Sequence, residues 1–231
     1  MNIEVPAGEN SLVAILRGVL PERVVGVAQV LYAAGFRTIE VPLNSPDPFS
    51  SIAALAGSLG AYCLVGAGTV LNAADVQRTR AAGGRLIVAP NFDAVVIRSA
   101  IRLGMQVMPG IATATEAFGA IGAGATQLKL FPATSYGPRH LQALRTVLPK
   151  DIGILPVGGV TADHIPDWLA AGATGFGFGS ELFRPEYTLG EVAQRAELLV
   201  RALREARRRL PAAAGAAGAA AATKPKTGET A

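Results

Sequence analysis

The stretch Gly124-Ala-Thr-Gln-Leu-Lys-Leu-Phe-Pro132 contains the pattern that decides the fold. A glycine of the kind that ends helices comes first, and a short run of mostly apolar residues follows it. Short, mostly apolar runs are typical of strands in a parallel sheet whose outer face is covered. The residue in this run that most needs an explanation is Lys129, because an ammonium group is costly to bury unless it is paired or loses its proton.

The same pattern recurs along the chain, at intervals of about 20 to 26 residues. We predict strands at 13–17, 38–42, 64–68, 86–90, 106–109, 127–131, 153–157 and 175–179. The segments between them carry helix-start signals, which lie at Pro21, Asn72, Thr113 and Thr161. Eight β-α units predict an α/β fold, a (β/α)8 TIM barrel with a closed parallel sheet. A doubly wound open sheet is the alternative.

The composition fits one globular domain followed by a short tail. Half of the 231 residues are hydrophobic and 16% are charged, which provides enough apolar material for a single core. We predict the barrel domain over residues 1–210. From residue 211 to 231 the chain is rich in alanine and glycine and ends in polar residues, so we predict a disordered tail.

Several classes of partner are not expected. The net charge of +4 includes no basic stripe with interleaved aromatic residues, so we predict no nucleic acid partner. There is no run of about eighteen apolar residues and no signal-peptide pattern, so we expect a cytoplasmic protein without a membrane partner. His140 and His164 lack metal-ligand spacing, so we predict no metal, and the single Cys63 excludes an internal disulfide.

The candidate site residues lie where the predicted strands end, because barrels of this kind place their chemistry at the carboxyl ends of the strands. Each has a plainer interpretation as well. Lys129 could extend its ammonium into water, Glu40 could be a structural acid, and the glycine pairs could be ordinary turns. The candidates are Arg17, Glu40, Thr69, Pro90, Lys129, Phe131, Gly158, Gly159, Gly179 and Ser180.

Taken together, these residues suggest one kind of chemistry. A buried lysine with a buried glutamate indicates a nucleophile and its acid/base partner. A neutral Lys129 would attack a ketone and form an iminium, while Glu40 would move protons during carbon–carbon cleavage beside a 2-keto group. Glycine turns after the seventh and eighth strands are typical phosphate sites, and Arg17 with Thr69 could hold a carboxylate. No cofactor is needed for this reaction.

At these positions the chain resembles the aldolases of 2-keto-3-deoxy-6-phospho sugar acids. The similarity extends from about residue 10 to residue 205 and includes every predicted strand. The matching motifs, in the order of the family, are Val13-Ala-Ile-Leu-Arg-Gly18, Gly35-Phe-Arg-Thr-Ile-Glu-Val-Pro-Leu-Asn-Ser-Pro46, Val65-Gly-Ala-Gly-Thr-Val70, Met108-Pro-Gly-Ile-Ala-Thr-Ala-Thr-Glu116, Lys129-Leu-Phe-Pro132, Pro156-Val-Gly-Gly-Val160 and Gly177-Phe-Gly-Ser180.

The resemblance implies roles for these residues. Lys129 would be the Schiff-base lysine and Glu40 the general acid/base, and the family forms homotrimers. Thr69 and Arg17 would hold the acid group of the substrate. The remaining roles are phosphate binding by the two glycine turns, at Gly158-Gly159 and Gly179-Ser180, and shaping of the pocket by Phe131 and Pro90.

The resemblance also bears on the substrate. Two branches of the family act on epimers at C4, and Val157 and Asn44 resemble the phosphogalactonate branch. The implied reaction gives pyruvate and D-glyceraldehyde 3-phosphate from a phosphorylated keto-deoxy sugar acid. The alternatives are a gluconate-specific or dual-specificity aldolase, a phosphosugar isomerase or epimerase that uses Glu40 alone, and a sugar-phosphate-binding barrel without activity.

Overall fold

The computed structural model of the protein describes residues 12–209. The predicted tail at 211–231 lies outside the described residues, as do the first eleven residues of the predicted domain. The strands are Leu12–Ile15 (β1), Thr38–Pro42 (β2), Leu64–Gly68 (β3), Leu86–Val88 (β4), Gln106–Met108 (β5), Gly110–Ile111 (β6), Gln127–Leu130 (β7), Gly153–Pro156 (β8) and Phe176–Phe178 (β9).

A helix or helical turn follows each strand except β5, which is followed directly by β6. The helices are Pro21–Ala34 (α1), Pro48–Leu59 (α2), Ala73–Ala81 (α3), Ala94–Arg102 (α4), Ala114–Gly122 (α5), Ala133–Arg145 (α6), Ile165–Ala170 (α7) and Leu189–Arg209 (α8), with a 3₁₀ turn at Ala162–His164. Within α6, Gly137 is not helical (φ 74°, ψ 170°), so the helix is broken just before Pro138. In residues 12–209 no helix is both long and apolar enough to cross a membrane.

All four predicted helix starts lie where a helical segment begins. Pro21 opens α1, the Asn72 side chain accepts a hydrogen bond from the Asp75 amide, and Thr113 forms a reciprocal capping box with Glu116. Thr161 is the N-cap residue of the 3₁₀ turn before α7, but within residues 12–209 its hydroxyl lies 3.2 Å from Nδ1 of His164 and caps no backbone amide.

The strands form two parallel sheets. Six strands lie in the order β5-β4-β3-β2-β1-β9, and three lie in the order β6-β7-β8. The sheets meet at both ends of this order. On one side Val157 and Gly177 form a parallel bridge and the Thr174 amide donates to the Ile154 carbonyl at 3.0 Å. On the other side the chain passes from β5 to β6 through Pro109, whose carbonyl accepts a hydrogen bond of 2.9 Å from the Lys129 amide. The molecule is therefore an α/β structure with parallel strands, as the sequence predicted.

The fifth predicted strand, at 106–109, is in fact two short strands. Proline has no N–H to donate, and the chain changes partner at Pro109, so that β5 pairs with β4 and β6 pairs with β7. The first predicted strand also ends early, at Ile15, which leaves Arg17 in the loop beyond it.

Alternate residues of the strands face the helices or the interior between the sheets. A small interior cluster combines side chains from β1, β3, β4 and β5 with one from β8 of the other sheet: Val13, Leu64, Leu86, Val88, Met108 and Leu155. The larger core packs the opposite faces of the strands against the helices. The two ionisable residues that the sequence placed inside strands share the interior face with the small cluster.

Candidate active site

Glu40 of β2 and Lys129 of β7 lie in the interior, in different sheets. Glu40 is 1% exposed and Lys129 is 7% exposed. In the strand register Glu40 lies opposite Gly66 of β3, and Lys129 lies opposite Gly110 of β6. Each of the two charges affects the pKa of the other, so the two sheets bring a carboxyl and an amine into one electrostatic environment.

Burial perturbs both groups in the direction that favours their neutral forms. It raises the pKa of Glu40, and the charges of Lys129 and Arg17 act in the opposite direction. It lowers the pKa of Lys129, an effect that Glu40 opposes and Arg17 reinforces. The interpretation of Lys129 as a lysine that extends into water is therefore disfavoured, because desolvation is the largest influence on its amine.

The carboxyl of Glu40 is also poorly satisfied. Its buried Oε2 has no hydrogen-bond partner among residues 12–209, although buried polar atoms in folded proteins nearly always have one. A structural acid would be held by the hydrogen bonds that explain its presence. The unpaired oxygen therefore favours a functional carboxyl over a structural one.

Gly68, at the end of β3, leaves the space that the Glu40 carboxyl fills. A Cβ atom built on Gly68 would lie 2.6 Å from Cδ of Glu40, which is closer than real Cβ contacts. The glycine in the Gly66-Ala-Gly-Thr69 turn thus has a packing reason that the sequence alone did not provide.

Arg17 is held at the end of the six-stranded sheet by two neighbouring loops. Its Nη1 donates a short hydrogen bond to Oδ1 of Asn44, and its Nη2 lies 3.5 Å from Oγ1 of Thr69. The backbone amide of Gly18 donates to Oγ of Ser45 at 2.9 Å. Asn44 and Ser45 are residues that the prediction of the site did not include, although Asn44 was noted as a marker of substrate preference.

Thr69 adopts a left-handed backbone conformation, with φ of 57°. A β-branched residue in this region is a genuine outlier, and such positions cost about 1–3 kcal/mol each. The strained residue is one of the predicted site residues, and its hydroxyl is the one that faces Arg17.

Phe131 lies beside the amine of Lys129, and Pro90 lies against the strand that pairs with it. The Nζ of Lys129 lies 4.9 Å from the centroid of the Phe131 ring. The edge of the same ring lies 3.3 Å from where a Cβ of Gly158 would be. The carbonyl carbon and oxygen of Pro90 fill the place of a side chain at Gly110, the residue paired with Lys129.

The two glycine turns predicted to bind phosphate differ in geometry. Gly158 and Gly159 both have positive φ, 97° and 74°, so a side chain at either position would be strained. Gly179 directly follows β9 and has open space among the described residues where a side chain would be, and Ser180 is the next residue in the chain. Val157 lies 6% exposed between the two turns and forms the bridge to Gly177.

The structure thus connects most of the predicted site residues, but not all of them. Contacts or electrostatic interactions link five of them: Arg17, Thr69, Glu40, Lys129 and Phe131. The ring of Phe131 also lies next to Gly158. The hydrogen bond that involves Ser180 lies elsewhere, because its carbonyl accepts one of 3.4 Å from Nε of Arg184. In residues 12–209 no group of three or more His, Cys, Asp or Glu side chains is arranged to hold a metal ion.

The chain has clear relatives among known proteins. The profile of the KDPG and KHG aldolases matches residues 3–199. A protein of Rhizobium meliloti (strain 1021), named "Probable 2-dehydro-3-deoxy-6-phosphogalactonate aldolase", is 50% identical over 194 residues, 84% of this chain and 92% of the relative. The 2-dehydro-3-deoxy-6-phosphogalactonate aldolase of Escherichia coli (strain K12) is 46% identical over 195 residues, 84% of this chain and 95% of the relative.

A solved structure described as native KDPGal superposes with a TM-score of 0.85 at 43% identity. It covers 90% of this chain, and the match extends over 98% of its own length. The chain therefore belongs to the KDPG and KHG aldolase family, a family of lyases.

Proposed function

We propose that the protein is a Schiff-base aldolase that cleaves 2-dehydro-3-deoxy-6-phosphogalactonate to pyruvate and D-glyceraldehyde 3-phosphate. The observation that carries the proposal is the pair of buried, electrostatically coupled groups, Glu40 and Lys129. The family membership supports aldol chemistry, and the names of the relatives at 50% and 46% identity support the galactonate substrate.

The first steps use the amine of Lys129. Its lowered pKa increases the neutral fraction, and the lone pair on Nζ adds to C2 of the substrate to give a carbinolamine. Glu40, protonated in part because burial raises its pKa, delivers a proton to the departing hydroxyl. Loss of water leaves an iminium, which draws electrons from the bond between C3 and C4.

The next steps use the carboxylate of Glu40. It removes the proton of the C4 hydroxyl, the C3–C4 bond breaks, and its electron pair forms the enamine of pyruvate while the aldehyde departs. Glu40 then returns the proton to C3. Addition of water to C2 of the resulting iminium releases pyruvate and restores the neutral lysine.

The remaining site residues orient the substrate. We assign the carboxylate of the substrate to Arg17 and Thr69, and the phosphate to the backbone amides of Gly158, Gly159 and Gly179 with the hydroxyl of Ser180. We assign Phe131 and Pro90 to the walls beside Lys129; the burial of its amine is what favours the neutral form.

Val157 is the residue that we assign to the choice of C4 epimer. Valine offers no hydrogen bond, whereas a threonine hydroxyl at this position could bind one of the two epimers. A single hydrogen bond contributes about 0.5–1.5 kcal/mol. Val157→Thr is therefore expected to shift the ratio of kcat/KM values roughly 2- to 12-fold towards the gluconate epimer.

The test measures pyruvate release from the two C4-epimeric 6-phospho-2-keto-3-deoxy acids at equal concentration, first for the wild type and then for Val157→Thr. Faster release from the galactonate epimer by the wild type supports the substrate assignment. Faster release from the gluconate epimer overturns it but keeps the Schiff-base mechanism, and an unchanged ratio in Val157→Thr removes the role of Val157.

Gly68→Ala tests whether the position of the Glu40 carboxyl matters for turnover. The new methyl group would occupy the place of the carboxyl, so Glu40 must move. Small displacements of a catalytic group can lower a rate about 10²-fold, and we expect kcat to fall roughly 10- to 100-fold. The measurement is kcat for pyruvate release, with the melting temperature recorded alongside.

Gly57→Ala is the matched control for this substitution. Gly57 lies on the exposed face of α2 with open space around it, and alanine there should stabilise the helix by about 0.5–1 kcal/mol. Its kcat should equal that of the wild type. Wild-type turnover by Gly68→Ala would mean that Glu40 does not need its present position.

We also propose that the two sheets together form a closed (β/α)8 barrel. The Val157–Gly177 bridge, the hydrogen bond from Lys129 to Pro109 and the interior cluster with members from both sheets support this closure. For assembly we propose the homotrimer that the family resemblance implies. Light scattering would measure the mass of the particle formed by chains of 23.6 kDa.

A further inference from the structure

Three loops at the carboxyl end of the six-stranded sheet meet at the guanidinium of Arg17. The residues involved are far apart in sequence, since Asn44 is 27 positions and Thr69 is 52 positions from Arg17. The Arg17 and Asn44 loops are joined a second time through the backbone amide of Gly18 and the hydroxyl of Ser45. The arginine is therefore held in one orientation although it is exposed at the surface.

We propose that Asn44 is a positioning residue, which orients the guanidinium of Arg17 so that it receives the carboxylate of a 2-keto acid. The inference rests on the proposed function, in which Arg17 binds that carboxylate. To the proposed function the inference adds a role for Asn44, the residue that holds Arg17 in place. It also gives a reason why this residue is an asparagine.

The count of hydrogen-bond donors supports this role. A guanidinium has five N–H groups, and here one points to Oδ1 of Asn44 and one to Thr69. Among residues 12–209 the other three have no partner and can bind a ligand, which is enough for the paired contact that arginine makes with a carboxylate. Holding a long side chain in place before the ligand arrives also removes part of the ordering cost of binding.

The neutral amide is what distinguishes Asn44 from an acidic residue of the same shape. An aspartate at this position would hold the guanidinium at least as firmly, but its negative charge would offset the positive charge and compete with the carboxylate of the ligand. Asparagine fixes the geometry and leaves the full charge of Arg17 available.

The test compares Asn44→Ala, Asn44→Asp and the wild type in the loading of Lys129 with pyruvate. Borohydride traps the iminium, and the pyruvate concentration that gives half-maximal trapping is the readout. Asn44→Ala should raise this half-maximal pyruvate concentration roughly 2- to 10-fold, because Arg17 would then be ordered only when pyruvate binds, and binding would bear that cost. Asn44→Asp should raise it more than Asn44→Ala, while its melting temperature stays at or above that of the wild type.

Two controls separate this role from a general structural effect. Methyl pyruvate has the same ketone but no carboxylate, so its half-maximal concentration should be the same in Asn44→Asp as in the wild type. Asn91→Asp adds the same charge after β4, where the asparagine is exposed and donates to the Phe92 carbonyl. This variant should trap pyruvate as the wild type does.

The outcomes are distinct from those of the proposed function. If the wild type itself is not trapped by borohydride with pyruvate, the Schiff-base function fails. If the wild type is trapped, and the half-maximal pyruvate concentrations of both Asn44 variants lie within twofold of the wild-type value, the inference is wrong. It is equally wrong if Asn44→Asp binds pyruvate like the wild type, or if Asn44→Asp affects pyruvate and methyl pyruvate equally.

Discussion

Lys129→Met is expected to abolish aldol cleavage. The substitution keeps the length and apolar character of the side chain at a position that is 7% exposed, so the fold should accept it. It removes the only nucleophile of the proposed mechanism, and loss of a covalent nucleophile lowers kcat by roughly 10³-fold or more. The measurements are the rate of pyruvate release and the mass of the protein after treatment with pyruvate and borohydride, which should remain unchanged.

Lys150→Met is the control for this experiment. Lys150 is exposed in the loop before β8, and its loss should leave both the rate and the pyruvate adduct at wild-type levels. If Lys129→Met retained substantial pyruvate release, the cleavage would not proceed through a Schiff base on this lysine, and the assignment of Lys129 as the nucleophile would be wrong.

Glu40→Gln is expected to have the second largest effect. Glutamine keeps the shape of the side chain but cannot exchange protons, and general acid–base catalysis contributes about 10²–10⁴-fold to a rate. We expect kcat for pyruvate release to fall by about that factor. Borohydride should still trap the pyruvate iminium on prolonged incubation, because Lys129 is intact.

The same variant should change how stability depends on pH. Burial raises the pKa of Glu40 above its ordinary value of 4.5, so the folded protein holds this proton more tightly than the unfolded chain does. Wild-type stability therefore falls as the pH rises from about 4.5 through the folded-state pKa, and Glu40→Gln lacks this loss. Urea unfolding at several pH values should show that the free energy of unfolding of Glu40→Gln rises relative to that of the wild type as the pH increases across this range.

Glu197→Gln is the matched control for both measurements. Glu197 is exposed on α8, so the substitution changes net charge by the same amount without affecting the interior. Its kcat and its stability profile should follow those of the wild type. A Glu40→Gln variant with wild-type kcat would remove Glu40 from the proton-transfer steps.

The sequence predicted the parts of the structure that depend on local pattern. A charged residue within an apolar run is visible directly, and Lys129 and Glu40 are both buried as the runs implied. The strand positions follow from the same runs. The break at Pro109 was missed, although a proline at the end of a predicted strand is the signal that could have shown it.

The parts that could not be predicted depend on which loops become neighbours in space. The hydrogen bond from Arg17 to Asn44 and the approach of Glu40 to Gly68 join separate β-α units. The left-handed backbone of Thr69 is equally hidden, because threonine gives no sign of adopting it. Hydrophobic periodicity locates the units along the chain but contains no information about contacts between their loops.

The backbone conformation of Thr69 has a consequence for attempts to make the protein more robust. Glycine or asparagine would relieve much of the local strain of about 1–3 kcal/mol, so a library ranked only by heat resistance would be drawn to them. Both replacements discard the hydroxyl beside Arg17. At position 69 we therefore expect substitutions that raise thermal stability to lower the catalytic rate, so variants should be ranked by both properties.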